Sequence, residues 1–330
     1  MFRYRHFGAV LKKKGRNYLL NAPQRHRVLL DLLHSPLGIL VLASSIIEVS
    51  GTPLEMPFAD QLGGYPADDG AHCLQELSKR EAIKGYFDLL SPQRLSELIV
   101  QCGWDLTPYR QSYRAQTEVL LTYGSSLRPF AECLLEAPGT ASWFVDLDRK
   151  RQEWVSPTAL APVSSSFSPD LHPVGSGITK ARGTLWTSTS LSNSSSGWLH
   201  YMRGGAERRL PPYHRWHLDV LPTARIYEVH GPQAWHTLCL SYPAPSCLAY
   251  QVGLPEALIR GTLNGFIEPN WQGVVQDWDG IHLSVGGLLT TERVIWGEPG
   301  AQTHLFSWDV ESTMWLRWAF GWVERLPDVG

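Results

Sequence analysis

The chain has 330 residues, of which 43% are hydrophobic and 18% are charged. This composition excludes an intrinsically disordered chain, and the length supports a sizeable core and favours two domains over one. The formal net charge of -2 hides an uneven distribution, because residues 1–30 carry eight basic side chains and no acid, whereas residues 31–330 carry 21 basic and 31 acidic side chains. A basic N-terminal segment therefore precedes an acidic body.

Tryptophan and cysteine give two further indications. Of the 14 tryptophans, 11 lie between Trp186 and Trp322, which indicates a boundary between two differently built parts. The five cysteines are widely spaced and form no CxxC pair or Cys/His group suited to structural zinc. We therefore expect free thiols in a reducing compartment.

The most apolar stretch runs from residue 28 to residue 47. It is interrupted by Asp31, His34, Pro36 and Gly38, and its length barely reaches across a bilayer. Its basic leader is too long for a signal peptide. The pattern favours a buried helix broken near Pro36, and we expect a soluble, cytoplasmic protein with no membrane partner.

Residues 1–140 are predicted to form a mostly helical domain of four to six helices. Apolar residues recur at three- and four-residue spacing between residues 71 and 136, which is typical of amphipathic helices. Ser91-Pro92 is typical of an N-cap followed by proline in the first turn, and Gly103 and Gly139 stand where helices would end. No chemical motif is visible here, so we assign target or partner binding to this domain.

Residues 141–330 are predicted to form a second domain, in which short strands alternate with helices near residues 195–202 and 233–240. The predicted strands cover residues 143–148, 183–189, 216–221, 224–229, 280–285, 288–294 and 311–320. Residues 156–177 are rich in Pro, Ser and Gly and are predicted to be a loop. The expected class is α+β, a helical N-terminal domain followed by a mainly antiparallel β domain with flanking helices.

The segment from residue 180 to residue 201 (KARGTLWTSTSLSNSSSGWLHY) is the first candidate for chemistry. A strand with Trp186 and four hydroxyl residues precedes a helix with Trp198 and Tyr201. Such a group can hold a flat, polar heteroaromatic ligand by stacking and hydrogen bonding. An edge strand followed by a serine-rich loop explains the same sequence without a ligand.

Glu311 is the second candidate. From this residue onward the sequence alternates, so that Glu311, Thr313, Trp315 and Arg317 share one face of a predicted strand. A carboxylate walled by large rings could act on a developing positive charge or on a hydroxyl proton. The alternative is an ordinary ion pair between Glu311 and Arg317 or another surface cation.

No metal is expected. Asp277 and Asp279 precede the predicted strand at residues 280–285, but a hard cation needs more oxygen ligands than two, so we interpret them as capping or orienting residues. The histidines show no HxxxH or HExxH spacing. GxGxxG, GxxxxGK[ST] and GxSxG are also absent from the sequence, which removes the main support for dinucleotide-fold, P-loop and hydrolase interpretations.

Taken in order, these segments resemble ADP-ribosyltransferase-like domains. The stretch Gly183-Thr184-Leu185-Trp186-Thr187-Ser188, followed by the aromatic helix, is similar to the second signature of that superfamily, and Thr187-Ser188-Thr189 is similar to its Ser-Thr-Ser element. Glu311, in Trp308-Asp309-Val310-Glu311-Ser312, resembles the third signature.

The chain also resembles distant bacterial and phage members that carry Lys-Pro-x-Gly-Gly-Leu-Trp-x-Ser. It matches that pattern at Lys180 and Gly183 but has Ala181 and Thr184 where the pattern has Pro and Gly. For the first signature, an Arg or His on an early strand, the sequence offers Arg149 and His172 without deciding between them.

The resemblance implies an enzyme that cleaves the nicotinamide–ribose bond of NAD and transfers ADP-ribose to a nucleophile without a metal. Glu311 would be the catalytic residue that stabilises an oxocarbenium-like transition state, and Ser188 or Thr187 would hold Glu311 or the ribose. The residues implied to bind NAD are Lys180, Trp186, Thr187, Ser188, Trp198 and Tyr201.

The resemblance also implies a toxin or antiphage defence effector, with a protein or nucleic acid as acceptor and a cognate antitoxin as partner. The basic N-terminal segment, with Tyr4, Phe7 and Tyr18 interleaved, suits a nucleic acid backbone, although a solvated tail or a contact with an acidic partner explains it too. Competing functions are a non-catalytic partner- or nucleic-acid-binding protein, and an NAD glycohydrolase that uses the same site without transfer.

Overall fold

The computed structural model describes residues 21–50, 80–105, 121, 124–171, 180–192, 195–204, 210–245, 266–306 and 308–330. Within these ranges the helices are α1 (Ala22–Leu33), α2 (Pro36–Ser50), α3 (Arg80–Leu89), α4 (Pro92–Asp105), α5 (Arg128–Glu136), α6 (Gly197–Gly204), α7 (Pro232–Ser241), α8 (Trp271–Asp277) and α9 (Val285–Thr291). Short 3-10 helices cover Pro138–Ser142 and Ser164–Ser166.

The strands build one large sheet and two small ones. They are β1 (Gln152–Ser156), β2 (Leu185–Ser192), β3 (Ser195–Ser196), β4 (Tyr213–Val220), β5 (Ile226–Val229), β6 (Pro243–Pro245), β7 (Ile267–Pro269), β8 (Gly280–Leu283), β9 (Ile295–Trp296), β10 (Thr303–His304), β11 (Ser312–Trp315) and β12 (Phe320–Val329). The large sheet has the order β12-β4-β1-β2-β11-β8-β5, and β3 pairs with β2. Its pairs are antiparallel except β5–β8, which confirms an α+β class with a mainly antiparallel sheet.

The apolar stretch at residues 28–47 forms the end of α1 and most of α2, and the helix breaks near Pro36 as predicted. Helix α2 is mostly buried, whereas α1 is buried at Leu29, Leu32 and Leu33. The N-terminus of α1 is closed by a capping box between Asn21 and Gln24. Among the described residues, no single helix is long and apolar enough to cross a membrane, and only α1 and the first part of α2 meet that test as a pair, with a bend of 87° between them.

Local sequence signals predicted the start of helix α4 correctly and its end wrongly. The Ser91 hydroxyl accepts a hydrogen bond from the Arg94 amide (3.1 Å), so α4 begins at Pro92 as the N-cap signal predicts. Gly103 lies inside α4 and does not end it, because the helix continues to Asp105.

Two of the predicted strands were wrong, and strands β1 and β12 of the large sheet were not predicted. Residues 288–294 mostly lie in or just after helix α9, whose first turn is capped when the Ser284 hydroxyl accepts a hydrogen bond from the Gly287 amide (3.1 Å). Residues 143–148 form turns and coil, and the buried rings of Trp143 and Phe144 explain the apolar signal there. Strand β1 was missed because Gln152 and Glu153 are polar residues that are nevertheless buried.

The two faces of the large sheet differ. Thr187, Thr313 and His282 are paired in register on one face, which also carries a hydrophobic cluster around Trp216 and Trp315. The opposite face carries Trp186, Ile281 and Met314, which belong to or pack against the main hydrophobic core. His282 and Thr189, which line the cavity described below, therefore lie on the face opposite to the main core.

The helices of residues 21–136 and the sheet share this main core. One buried cluster contains Leu29 and Leu42 from the N-terminal helices as well as Leu283, Leu288 and Leu316 from the C-terminal part. The division into domains at residues 140/141 stays a prediction, and its two sides are in contact through buried apolar side chains.

Candidate active site

A cavity of about 180 Å³ lies beside β2, β8 and the residue that precedes β11. Its charged and polar lining includes Asp146, Asp148, Arg151, Thr189, His282 and Glu311. Helix α4 covers the cavity with Leu95 and Ile99. The cavity therefore has a polar wall that comes from the sheet and an apolar wall that comes from the helical part of the chain.

Glu311 is fixed on this polar wall. One carboxylate oxygen (Oε2) accepts a hydrogen bond from the Thr189 amide (3.0 Å), and the other (Oε1) accepts one from the Thr189 hydroxyl (2.9 Å). His282 Nε2 lies 3.1 Å from the same Oε1. Arg317 pairs with Asp279 instead, at 3.4 Å, so the predicted alternative of an ion pair between Glu311 and Arg317 is wrong.

The residue that holds Glu311 is Thr189, whereas the sequence favoured Ser188 or Thr187. The Ser188 side chain lies on the opposite face of β2, where its hydroxyl accepts from the Trp198 amide (3.0 Å) at the start of α6. The Thr187 hydroxyl donates to Gln152 Oε1 (2.6 Å) and accepts from the Trp315 indole (2.8 Å). The backbone register places Thr189, two residues further along, beside the carboxylate.

Sequence reasoning missed His282 and Glu228. His282 Nδ1 is hydrogen bonded to Glu228 Oε2, and the other oxygen of Glu228 accepts from the Leu147 amide (3.0 Å). Burial alone would lower the pKa of His282, but the two carboxylates outweigh it and raise the pKa to about 10. The only sequence signal was a histidine within the apolar strand β8, in which all four residues are buried.

The predicted aromatic residues lie away from the cavity. Trp186, Trp198 and Tyr201 are not among its lining residues. The ring centroids of Trp186 and Trp198 are 6.1 Å apart, and those of Trp198 and Tyr201 are 5.1 Å apart, both in edge-to-face geometry. Trp186 also packs against Trp308 at 4.9 Å. Their role as walls of a nicotinamide site stays a prediction, and these rings already pack against one another.

Lys180 supports the segment that leads into Glu311. Its Nζ lies 3.0 Å from Asp309 Oδ2 and 4.7 Å from the centroid of the Trp186 ring. Asp309 has a φ of 69°, in the left-handed region. The ion pair therefore ties down the turn at residues 308–310, and no contact places Lys180 at the cavity.

The arginine at the cavity is Arg151, which immediately precedes β1. Its Nε donates to Asp148 Oδ2 (2.7 Å), and its side chain remains 57% exposed. Arg149, one of the two residues suggested by the sequence, instead donates to the carbonyls of Leu221 and Ala224 (both 2.8 Å). The other, His172, lies outside the described residues.

One cluster of acidic residues and a histidine bears on whether a metal could be held. Asp146, Glu228 and His230 place ligand atoms within 4.8 Å of one another. His230 is hydrogen bonded to Asp146 (3.2 Å) and to Ser284 (3.0 Å). Glu228 is hydrogen bonded to His282 and to the Leu147 amide, so hydrogen bonds within the protein account for this cluster.

Asp279 Oδ2 accepts from the Arg225 amide (2.8 Å), which is the orienting role predicted for it. Asp277 Oδ2 accepts from the Tyr242 hydroxyl (2.6 Å).

Comparison with known proteins adds no further assignment. No family model, curated protein or solved structure matches the chain. The functional conclusion therefore depends on the geometry of the cavity and on the sequence resemblance.

Proposed function

We propose that the protein is an NAD-dependent ADP-ribosyltransferase whose active site is the cavity at Glu311. The observation that carries this proposal is that Arg151, Thr189 and Glu311 line one cavity. They come from the residue before β1, from β2 and from the residue before β11. This is the chain order of arginine, hydroxyl residue and glutamate that the resemblance implies. Arg151 takes the place for which the sequence offered Arg149 and His172.

The chemistry follows from the carboxylate. Nicotinamide leaves with the electron pair of the bond to the ribose, and positive charge develops on the ribose carbon and ring oxygen. The negative charge of Glu311, fixed by Thr189 and shielded from bulk water, stabilises that transition state more than the ground state. The acceptor nucleophile then bonds to the ribose carbon, and its proton passes to Glu311 or to solvent.

The remaining cavity residues suit an anionic dinucleotide. Arg151 is half-exposed and offers guanidinium donors of the kind that bind phosphate in pairs. A volume of about 180 Å³ is smaller than the roughly 300–1,000 Å³ of pockets that enclose a drug-sized ligand. We therefore assign only the nicotinamide–ribose end of NAD to the cavity, with the pyrophosphate at its mouth near Arg151.

The test is turnover of NAD labelled in the adenosine part, with candidate protein and nucleic acid acceptors. We expect Glu311→Gln to lower kcat by about 10²-fold or more, since one preorganised electrostatic group contributes on that order. The matched control is Glu324→Gln, which removes an exposed carboxylate on β12 and should leave turnover unchanged.

Other outcomes are equally informative. Free ADP-ribose with no labelled acceptor would indicate the glycohydrolase. Absence of turnover, together with an unchanged melting temperature in excess NAD, would favour the non-catalytic binding protein, because a ligand that binds only the folded state raises that temperature. Equal turnover by wild type and Glu311→Gln would remove Glu311 from the mechanism.

The effector role, the protein or nucleic acid acceptor and an antitoxin partner belong to this proposal as consequences of the resemblance. Residues 1–20, which hold six of the eight basic residues of the N-terminal segment, lie outside the described ranges. Acceptor screening should therefore use the full chain.

A further inference from the structure

We propose that His282, oriented by Glu228, is a positioning residue that holds the Glu311 carboxylate in its reactive orientation at the cavity. This inference rests on the proposed function for its catalytic meaning. Hydrogen bonds join three side chains in a row: Glu228 of β5, His282 of β8 and Glu311, the residue before β11.

The order of these strands explains why one imidazole can join two carboxylates. Strand β8 lies between β5 and β11 in the sheet, and the register pairs His282 with Glu228 on one side and with Thr313 on the other. Glu311 precedes Thr313 by two residues, so its side chain returns to the same face. Each ring nitrogen of His282 therefore meets one carboxylate.

The contacts leave little freedom to the carboxylate. Glu311 Oε1 is bonded to the Thr189 hydroxyl and to His282, and Oε2 is bonded to the Thr189 amide. Glu228 fixes the ring of His282 in turn, and the Leu147 amide fixes Glu228. Removing the imidazole would leave the carboxylate with its two bonds to Thr189 alone and without any support from β8, so its orientation would be less restricted.

The charges around His282 agree with this role. Carboxylates face it from β5 (Glu228) and from the start of β11 (Glu311), and Asp146 in the loop before β1 contributes a further negative charge nearby. His282 is 3% exposed and the Glu311 side chain 13% exposed. A protonated imidazole therefore balances two carboxylates that would otherwise repel each other in a nearly dry site.

Steady-state kinetics with NAD test whether His282 supports catalysis through Glu311. We expect His282→Leu, which has no donor, to lower kcat for NAD by about 10²-fold, since misplacing a reacting group by about 1 Å has an effect of that size. We expect KM to change less than about twofold, because His282 acts through Glu311 and does not bind NAD. His282→Gln keeps a donor nitrogen that can reach one of the two carboxylates, so its loss in kcat should be smaller.

Two further variants complete the kinetic test. Glu228→Gln should also lower kcat with little change in KM. The control is His236→Gln, which removes a histidine bonded to Thr303 and absent from the cavity lining, and its kinetics should match wild type. Wild-type kcat in His282→Leu, or a change in KM alone, would overturn the role of His282.

Nitrogen-15 NMR of the histidine rings tests the contacts of His282 with Glu228 and Glu311 without requiring any turnover of NAD. In the wild type, the His282 ring should stay protonated at both nitrogens at pH 8, and its pKa should fall in Glu311→Gln and again in Glu228→Gln. If wild type fails to turn over NAD but these shifts are seen, the proposed function fails and the His282–Glu311 contact stands. An unchanged His282 pKa in Glu311→Gln would overturn the contact itself.

Discussion

Two buried histidines show how the surroundings of a residue decide its protonation. His282 lies between Glu228 and Glu311, and the carboxylates raise its pKa to about 10 despite burial. His304 is 2% exposed, and burial followed by the positive charge of Arg293 lowers its pKa to about 3. The first ring is therefore charged at neutral pH and the second is neutral.

The low pKa of His304 predicts an acid-sensitive fold. The histidine pKa in an unfolded chain is about 6.5, so between that pH and about 3 the unfolded chain binds a proton that the folded protein does not. The free energy of unfolding should therefore fall as the pH drops below about 6.5, by up to about 1.4 kcal/mol per pH unit from this one group. Urea denaturation at pH 7, 6 and 5 measures the slope.

The matched variants separate His304 from other groups. His304→Leu should flatten the dependence between pH 6.5 and 5, whereas His26→Gln, at an exposed position on α1, should leave it unchanged. His282 does not change the pH dependence of the free energy of unfolding between pH 6.5 and 5. Its stabilising contribution is complete below about pH 6.5 and disappears only as the pH rises towards about 10. An equal slope in His304→Leu and wild type would contradict the prediction.

At the level of elements, the first turn of α9, which follows β8, is packed tightly against its neighbours. A Cβ atom at Gly287 would overlap with the Val229 carbonyl oxygen, and one at Gly286 would overlap with the Phe144 ring. These contacts hold α9 against β5 and against the loop that leads to Asp146. Both glycines lie in α9, and neither position leaves room for a side chain.

This packing predicts opposite effects for two glycine-to-alanine substitutions. Gly287→Ala should lower the free energy of unfolding by about 1–3 kcal/mol or more, because the Val229 backbone cannot move aside without disturbing the sheet. Gly103→Ala, inside α4 with open space around the added carbon, should raise it by about 0.5–1 kcal/mol. Urea denaturation of both variants checks this, and a neutral Gly287→Ala would show that the turn is loosely packed.

At the level of the whole molecule, the cavity depends on both halves of the chain. Leu95 and Ile99 of α4 form its apolar wall, whereas its polar wall belongs to the sheet. The same helices share the main hydrophobic core with β8 and α9. A cavity at such a junction is disturbed if either half unfolds.

The shared core predicts that the described helices and the sheet unfold together. Tryptophan fluorescence reports mainly on residues 186–322, which hold 11 of the 14 tryptophans, and far-UV circular dichroism reports strongly on the helices. Their urea transitions should coincide, as expected for one cooperative unit. Two separate transitions would instead support independent domains with the boundary near residue 140.

Residues close in sequence determined what could be predicted without the structure. The cap at Ser91, the break at Pro36 and the alternation after Glu311 each depend on neighbours within a few positions, and they placed α4, the bend between α1 and α2, and β11. Glu311 was also identified as a candidate from the sequence alone. Helix α9 and strand β1 were missed because buried polar residues and close-packed glycines contradict the usual patterns.

Only the tertiary structure decided which side chains meet Glu311. Thr189 precedes it by 122 positions and His282 by 29, and the pairing of β2, β11 and β8 brings them together. A shift of one residue along β2 turns a side chain to the opposite face, which is why Ser188 caps a helix while Thr189 holds the carboxylate. Composition and periodicity carry no information on that register. The sequence could therefore identify Glu311 as a candidate, whereas its partners are decided by how the strands pair in the sheet.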